Sequence, residues 1–159
     1  MPRPTLRTER LVLVPQTIDV ARAMLAGADP GLPLAPGYPH ADSLDALRMH
    51  VEHGGPDDGG WFITLVEDGR VVGDCGTYGP PDSDGQVEIG YGLAAPSRRQ
   101  GIGTEAVGCL VGWLLGEPGV RVVKASVEVG NEPSRRLLVG LGFALVGEAD
   151  RLWLLERRA

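Results

Sequence analysis

Residues 97–108 read SRRQGIGTEAVG, and residues 131–136 read NEPSRR. Each places cationic and polar side chains at the start of a helix-forming run, and the first adds two glycines. That combination suits a phosphorylated ligand. Glycines let backbone N–H groups turn inward, and a helix N-terminus adds positive potential. Arg98 and Arg99 bring full charges beside the loop. Two such starts suit a long ligand carrying several phosphates.

Three readings compete for the glycine loop. It can be a plain strand-to-helix turn. It can be a dinucleotide fingerprint, because Gly101-Ile-Gly103-Thr-Glu-Ala106 fits G-x-G-x-x-A and Glu128 lies about twenty residues on. Or it can hold a pyrophosphate of another kind. Context counts against the second. Ala95, Pro96 and four polar residues separate the loop from a strand ending at Leu93. Too little chain follows Glu128 to build the other half of a doubly wound sheet. No Gly-Lys-Ser/Thr occurs, which excludes a Walker A loop.

The strand ahead of the loop is QVEIGYGL, residues 86–93. Alternation puts Glu88, Gly90 and Gly92 on one face and Val87, Ile89, Tyr91 and Leu93 on the other. Paired glycines weaken a strand unless something must approach closely. Glu88 on that face is a candidate base; the plainer reading is a carboxylate that orders the sheet or an acceptor.

These residues need a scaffold, and the rest of the chain supplies one. Arg10 to Val14 reads as a strand closed by Pro15, and Thr17 caps a helix through IDVARAMLA. DPGLPLAPGYPHAD, with a proline at every third position from Pro30 to Pro39, reads as a surface loop. Ser43 opens a second helix, LDALRMHVEH. WFITLVE and RVVGDCGTY form a hairpin about Asp68-Gly69. A helix from Thr104 carries Ala106, Val107, Leu110, Val111, Leu114 and Leu115 on one face. VVKASVE is a strand and EPSRRLLVGL a helix, with Pro133 in its first turn and Gly142 just past its end. FALV and RLWLLE, joined by GEAD, close the chain as a hairpin. The order β-α-α-β-β-β-α-β-α-β-β predicts an α+β domain on one mixed, twisted sheet.

With 159 residues and 43% hydrophobic content, the chain is expected to form one domain over residues 1–159. A net charge of −6 argues against nonspecific nucleic-acid binding and suits a cationic co-substrate. No apolar run is long enough for a membrane span, and the N-terminus lacks the pattern of a signal peptide. Cys75 and Cys109 have no histidines at metal-ligand spacing, so no metal is expected, and isolated thiols suit a reducing cytoplasm.

Arg98-x-x-Gly101-x-Gly103 resembles the R/Q-x-x-G-x-G/A pyrophosphate motif of the GNAT superfamily of N-acetyltransferases, and the order of elements matches that fold. EIGYGLAAPSRRQGIGTEAV, NEPSRRLLVGLGF and LRTERLVLVP are similar to the RimJ/RimL-like subgroup, which acetylates ribosomal-protein N-termini. The resemblance spans essentially the whole chain. It implies acetyl-CoA as co-substrate and a primary amine, on a protein N-terminus or a small molecule, as acceptor. It implies that Leu93 and Ala94 offer backbone groups to the pantetheine arm. The residues Arg98, Arg99, Gln100, Gly101, Ile102, Gly103 and Thr104 would hold the pyrophosphate. Asn131 would contact the arm or cap its helix. Ser134 and Arg135 would lie near the thiol or the adenosine phosphate, with helix capping and a solvated charge as the alternative.

Two departures stand out. Many relatives carry a tyrosine acid seven residues after the position of Asn131, where this chain has Leu138; Ser134 is the substitute acid, with Tyr78 and Tyr91 behind it. His40, His50 and His53 read as surface residues. The short final hairpin leaves the acceptor side open or completed by a second subunit in a homodimer. A CoA-binding module without catalysis is the rival reading.

Overall fold

The computed structural model describes residues 3–54 and 59–159. One mixed sheet runs through them in the order β1-β2-β3-β4-β5-β6-β8-β7. Its strands are β1 (Leu6–Arg7), β2 (Leu11–Pro15), β3 (Trp61–Leu65), β4 (Val71–Thr77), β5 (Gln86–Leu93), β6 (Val122–Glu128), β7 (Ala144–Ala149) and β8 (Leu152–Arg158). Helices α1 (Ile18–Leu25) and α2 (Ala41–His53) follow β2, α3 (Ile102–Gly116) follows β5, and α4 (Glu132–Gly140) follows β6. This is the α+β order expected, preceded by the two-residue β1. No helix among the described residues is long and apolar enough to cross a membrane.

Every neighbouring pair of strands is antiparallel except β5 with β6. The exception follows from connection. Hairpins link β3 to β4 and β7 to β8, whereas α3 carries the chain from the end of β5 back to the start of β6. Helices cover both faces. Ala106, Val107, Leu110 and Val111 of α3 join Leu138 of α4 over Val87 and Ile89. Ala21, Met24 and Leu47, from α1 and α2, pack on Phe62 and Val71 of the opposite face. A strand covered on both sides must be apolar on both, which is why β3 reads WFIT without alternation.

The structure corrects four local expectations. The proline segment is not merely surface: Leu34 bridges Val71, and Ala35 and Tyr38 are buried. Helix α2 starts at Ala41 rather than Ser43, because the His40 Nδ1 accepts the Ser43 N–H as a cap. Helix α3 starts at Ile102 rather than Thr104, with Gly101 as its cap at φ 77°. In the last hairpin GEAD is not the loop. Gly147 to Ala149 belong to β7, and Asp150 and Arg151 make the turn at φ 51° and 64°. Of the GGPDDGG segment, residues 55–58 lie outside the described part.

Candidate active site

Strands β5 and β6 pair only from Gln86–Val122 to Ile89–Ala125. Beyond that they part, because each is committed to its other neighbour. The ladder of β5 with β4 runs on to Leu93, and that of β6 with β8 runs to Glu128. The result is a slot through the sheet, walled on one side by the β5 edge from Gly90 to Leu93. The Leu93 carbonyl accepts from Arg98 Nε at 3.2 Å. Ala94 is fully buried, and its N–H donates to Val72 O at 2.8 Å.

The glycine loop closes one end of the slot. Arg98, Arg99, Gln100, Gly101 and Thr104 are exposed, while Ile102 is buried and anchors the loop in the core. Gly101 supplies no side-chain cap, so the first-turn N–H groups of α3 are left to an external acceptor. Gly103 lets the helix close on its neighbours: a Cβ there would stand 3.1 Å from Leu137 and 3.5 Å from Leu93. Arg99 adopts φ 63°, and Gln100 Nε2 donates to Pro96 O at 3.3 Å.

A staple that the sequence did not announce fixes this loop. Arg10 Nη1 donates to Gln100 O at 2.9 Å, and its Nε pairs with Glu105 Oε1 at 2.8 Å. The Arg10 N–H and the Thr8 hydroxyl both donate to Glu105 Oε2. Burial alone would push the Glu105 carboxyl up, but the Thr8 and Arg10 hydrogen bonds and the Arg10 charge hold it below its usual range. The only signal was polar residues in LRTERL and a glutamate in the first turn of α3, and nothing local pairs them.

At the start of α4, Asn131 Oδ1 accepts the Ser134 N–H as a cap. The Ser134 hydroxyl lies 2.5 Å from the Tyr91 hydroxyl. Tyr91 is thus only partly a core residue: its ring packs on the core and its tip reaches Ser134. Burial pushes the Tyr91 phenol up, so it keeps its proton. The guanidinium of Arg135 lies 4.5 Å over the Trp153 ring. Leu138 is fully buried.

The opposite face of β5 opens on a pocket of about 530 Å³ lined by α2, β4 and β5. Gly76 and Gly90 are cross-strand partners beneath it. The close approach that the strand glycines allow is made by the protein's own side chains. A Cβ on Gly90 would stand 2.6 Å from the Tyr78 hydroxyl, and one on Gly92 would stand 3.0 Å from the His40 ring. Asp74, opposite Gly92 in register, accepts from the Tyr38 hydroxyl at 2.9 Å. Glu88 stands at the far side of Tyr78, where β5 and β6 part, and accepts from Ser126 Oγ at 2.7 Å. His50 is not a surface residue but is buried on the pocket wall, while His40 is half-buried and His53 exposed. Cys75 is buried, and burial pushes its thiol up; the half-buried Cys109 is raised by the same cause.

The catalytic candidates therefore separate by face, with Glu88 on the pocket side of the sheet and Ser134 with Tyr91 on the α3–α4 side. Known proteins share this architecture. Residues 10–144 match the model of the acetyltransferase (GNAT) domain. The uncharacterised N-acetyltransferase YjdG of Bacillus subtilis is 31% identical over 68% of this chain and 67% of its own. Among solved structures, the ribosomal-protein-S5-alanine acetyltransferase of Vibrio fischeri superposes with a TM-score of 0.70 at 17% identity, covering 98% of this chain and 97% of the other. Mycobacterium smegmatis RimJ, in complex with CoA-disulfide, gives 0.65 at 22% identity, over 98% and 86%. The matched model spans most of the chain, from the staple residue Arg10 through the slot to the start of β7, and the chain belongs to the GNAT acetyltransferase family.

Proposed function

We propose that this acetyltransferase moves the acetyl group of acetyl-CoA directly to a primary amine, with the co-substrate in the slot between β5 and β6. The observation that carries the reading is the parting of those strands after Ile89 and Ala125, beside an uncapped helix start. The co-substrate supplies a thioester, whose carbonyl carbon is open to attack by an amine. The chain's residues divide the remaining work. N–H groups of the first turn of α3, with Arg98 and Arg99, hold the pyrophosphate. The β5 edge near Leu93 lines the pantetheine arm. Arg135 and Asn131 shape the start of α4.

The acceptor enters from the pocket face. Glu88 takes the amine's proton, directly or through water, and its Ser126 hydrogen bond fixes the carboxylate's direction. The Ser134 hydroxyl, backed by Tyr91, supplies a proton on the opposite face as the thiolate departs. This assignment fills the role left open at Leu138. The RimJ/RimL-like resemblance and the fold shared with RimJ support an amine acceptor of either size, a protein N-terminus or a small molecule.

Acetyl-CoA is expected to raise the melting temperature by mass action. Gly101→Val should abolish that shift, since a φ of 77° strains a β-branched side chain and a Cβ would stand 3.3 Å from Arg10 Nη2. A Gly101→Val protein that binds acetyl-CoA as tightly as the parent would show that the loop is not the co-substrate site. Acetyl-CoA consumption across N-terminal peptides, amino acids and small amines then tests transfer itself.

A further inference from the structure

The pocket on the acceptor face contains a carboxylate that the transfer chemistry does not use. Asp74 projects from β4 opposite Gly92, where the absence of a side chain leaves its Oδ1 only 3.9 Å from the place a Cβ would take. Its Oδ2 is held by the Tyr38 hydroxyl, so the group is fixed rather than wandering. Among the described residues lining this pocket, none is Lys or Arg. Hydrogen bonds from Tyr38 and Ser43 and the charge of His40 act on Asp74, and His40 is the one cationisable group among these neighbours. Asp42 stands on the same pocket wall and adds a second negative charge near Asp74, so the pocket favours a cationic ligand.

Position decides what that cation is. Asp74 is aligned with Gly92, and Glu88 lies four residues back along the same strand, about 13 Å at the usual rise. One nitrogen cannot be served by both carboxylates. The slot opens at Gly90, between the two and about 7 Å from Gly92. An amine reacting there would leave Asp74 free to hold a second charge of the same molecule.

We infer that Asp74 is the specificity residue for a small acceptor with two cationic groups, an alkyl diamine whose unreacting ammonium binds Asp74 while the other amine reaches the slot. This rests on the transfer reading above and narrows its acceptor to a class. The pocket's volume of about 530 Å³ suits a thin, flexible chain.

The test compares 1,4-diaminobutane, butylamine and 4-aminobutan-1-ol as acceptors for the parent, Asp74→Asn and Asp74→Ala, by initial rates of acetyl-CoA consumption. The parent should favour the diamine over both monoamines by about 10- to 100-fold in kcat/KM, the worth of one charge-assisted hydrogen bond. In both variants that ratio should fall toward unity, chiefly through KM for the diamine. A melting curve for each variant confirms that it folds, and Asp74→Asn keeps the acceptor for the Tyr38 hydroxyl. A parent that acetylates butylamine as well as the diamine, or a variant that keeps the preference, overturns the inference and leaves the transfer reading intact. A parent that binds acetyl-CoA but consumes it with no amine overturns both.

Discussion

At the scale of single residues, two carboxylates on the pocket face are asked to do different things, and their environments allow them to be told apart. Glu88→Gln keeps an oxygen for the Ser126 hydroxyl, so the fold should be little affected. If Glu88 relays the amine proton, kcat should fall by about 10²–10⁴, most at low pH, and recover partly as the free amine and hydroxide take over. pH–rate profiles of the parent and variant measure this. Unchanged kcat at every pH with a lower Tm would reduce Glu88 to a structural carboxylate, and a raised KM for the amine at constant kcat would make it a binding group. For Asp74, burial is the largest influence and raises its pKa, with Asp42 adding to it; hydrogen bonds from Ser43 and Tyr38 and the charge of His40 work the other way without reversing it. The folded chain therefore holds a proton that the unfolded chain has already released, and stability falls as pH rises through that window and stays reduced above it. Asp74→Asn removes this penalty. Its Tm at pH 7 should exceed the parent's, and the gap should close once the pH drops below the unfolded carboxylate's range. Thermal melts from pH 3 to 8 would show it; a variant that melts lower at pH 7 would mean that Asp74 holds the fold together. Serine and tyrosine chemistry was only half visible at this scale: Ser134 is readable from a helix start, but Tyr91 alternates with apolar residues and gives no sign that its hydroxyl reaches α4.

Between elements, the most consequential contact joins the turn before β2 to the start of α3. Arg10 holds both the Gln100 carbonyl and the Glu105 carboxylate, so it sets the loop's shape without belonging to it. Arg10→Ala should raise the Kd for acetyl-CoA by about 10-fold, the loss of one charge-assisted hydrogen bond, with kcat at saturation little changed. Arg10→Lys should recover part of the affinity, because an ammonium reaches one partner but not both. Calorimetric titration with acetyl-CoA checks both, and unchanged affinity in Arg10→Ala would make the staple irrelevant to the site. Glu105 has a depressed pKa, so its contribution is present above the unfolded value and is lost as pH falls through the folded one. What was legible at this scale was periodicity. The face of α3 from Ala106 to Leu114 is buried as its spacing predicts, and the Asp68-Gly69 turn joins β3 to β4. What was not legible was anything fixed by a distant partner or an unusual backbone angle. The start of α3 moved to Ile102 because Gly101 and Arg99 take positive φ, and Tyr38 is buried because the proline segment folds back onto β4. The Arg10 staple spans some ninety residues of sequence, beyond the reach of any local pattern.

In the molecule as a whole the two candidate half-sites lie on opposite faces of one sheet, meeting where β5 and β6 separate. Glu88, Tyr78 and Asp74 stand on the α2 side, and Ser134 and Tyr91 on the α3–α4 side. Such a layout favours both substrates being present together, the amine approaching from one face while the thiol leaves toward the other. The direct transfer proposed above needs no acyl-enzyme, and the cysteines do not favour one. Cys75 is buried, and burial pushes its thiol up, so it carries little thiolate at neutral pH. Cys109 lies within α3, and its thiol is raised as well. Initial rates at several fixed amine concentrations should therefore give intersecting double-reciprocal lines, as a ternary complex requires. Cys75→Ala and Cys109→Ala should both retain kcat within about 2-fold if they fold, because Cys75 is buried, Cys109 lies within α3, and direct transfer needs no thiol nucleophile. Cys75→Ala will lower stability, by up to about 1 kcal/mol per methyl-sized cavity, and rates must be compared well below its melting temperature. Parallel lines, or a cysteine recovered in acetylated form after incubation with acetyl-CoA alone, would show that the acetyl group stops on the protein first. In that case the slot would serve two successive half-reactions, and the separation of the candidate base and acid by the sheet would have no bearing on transfer.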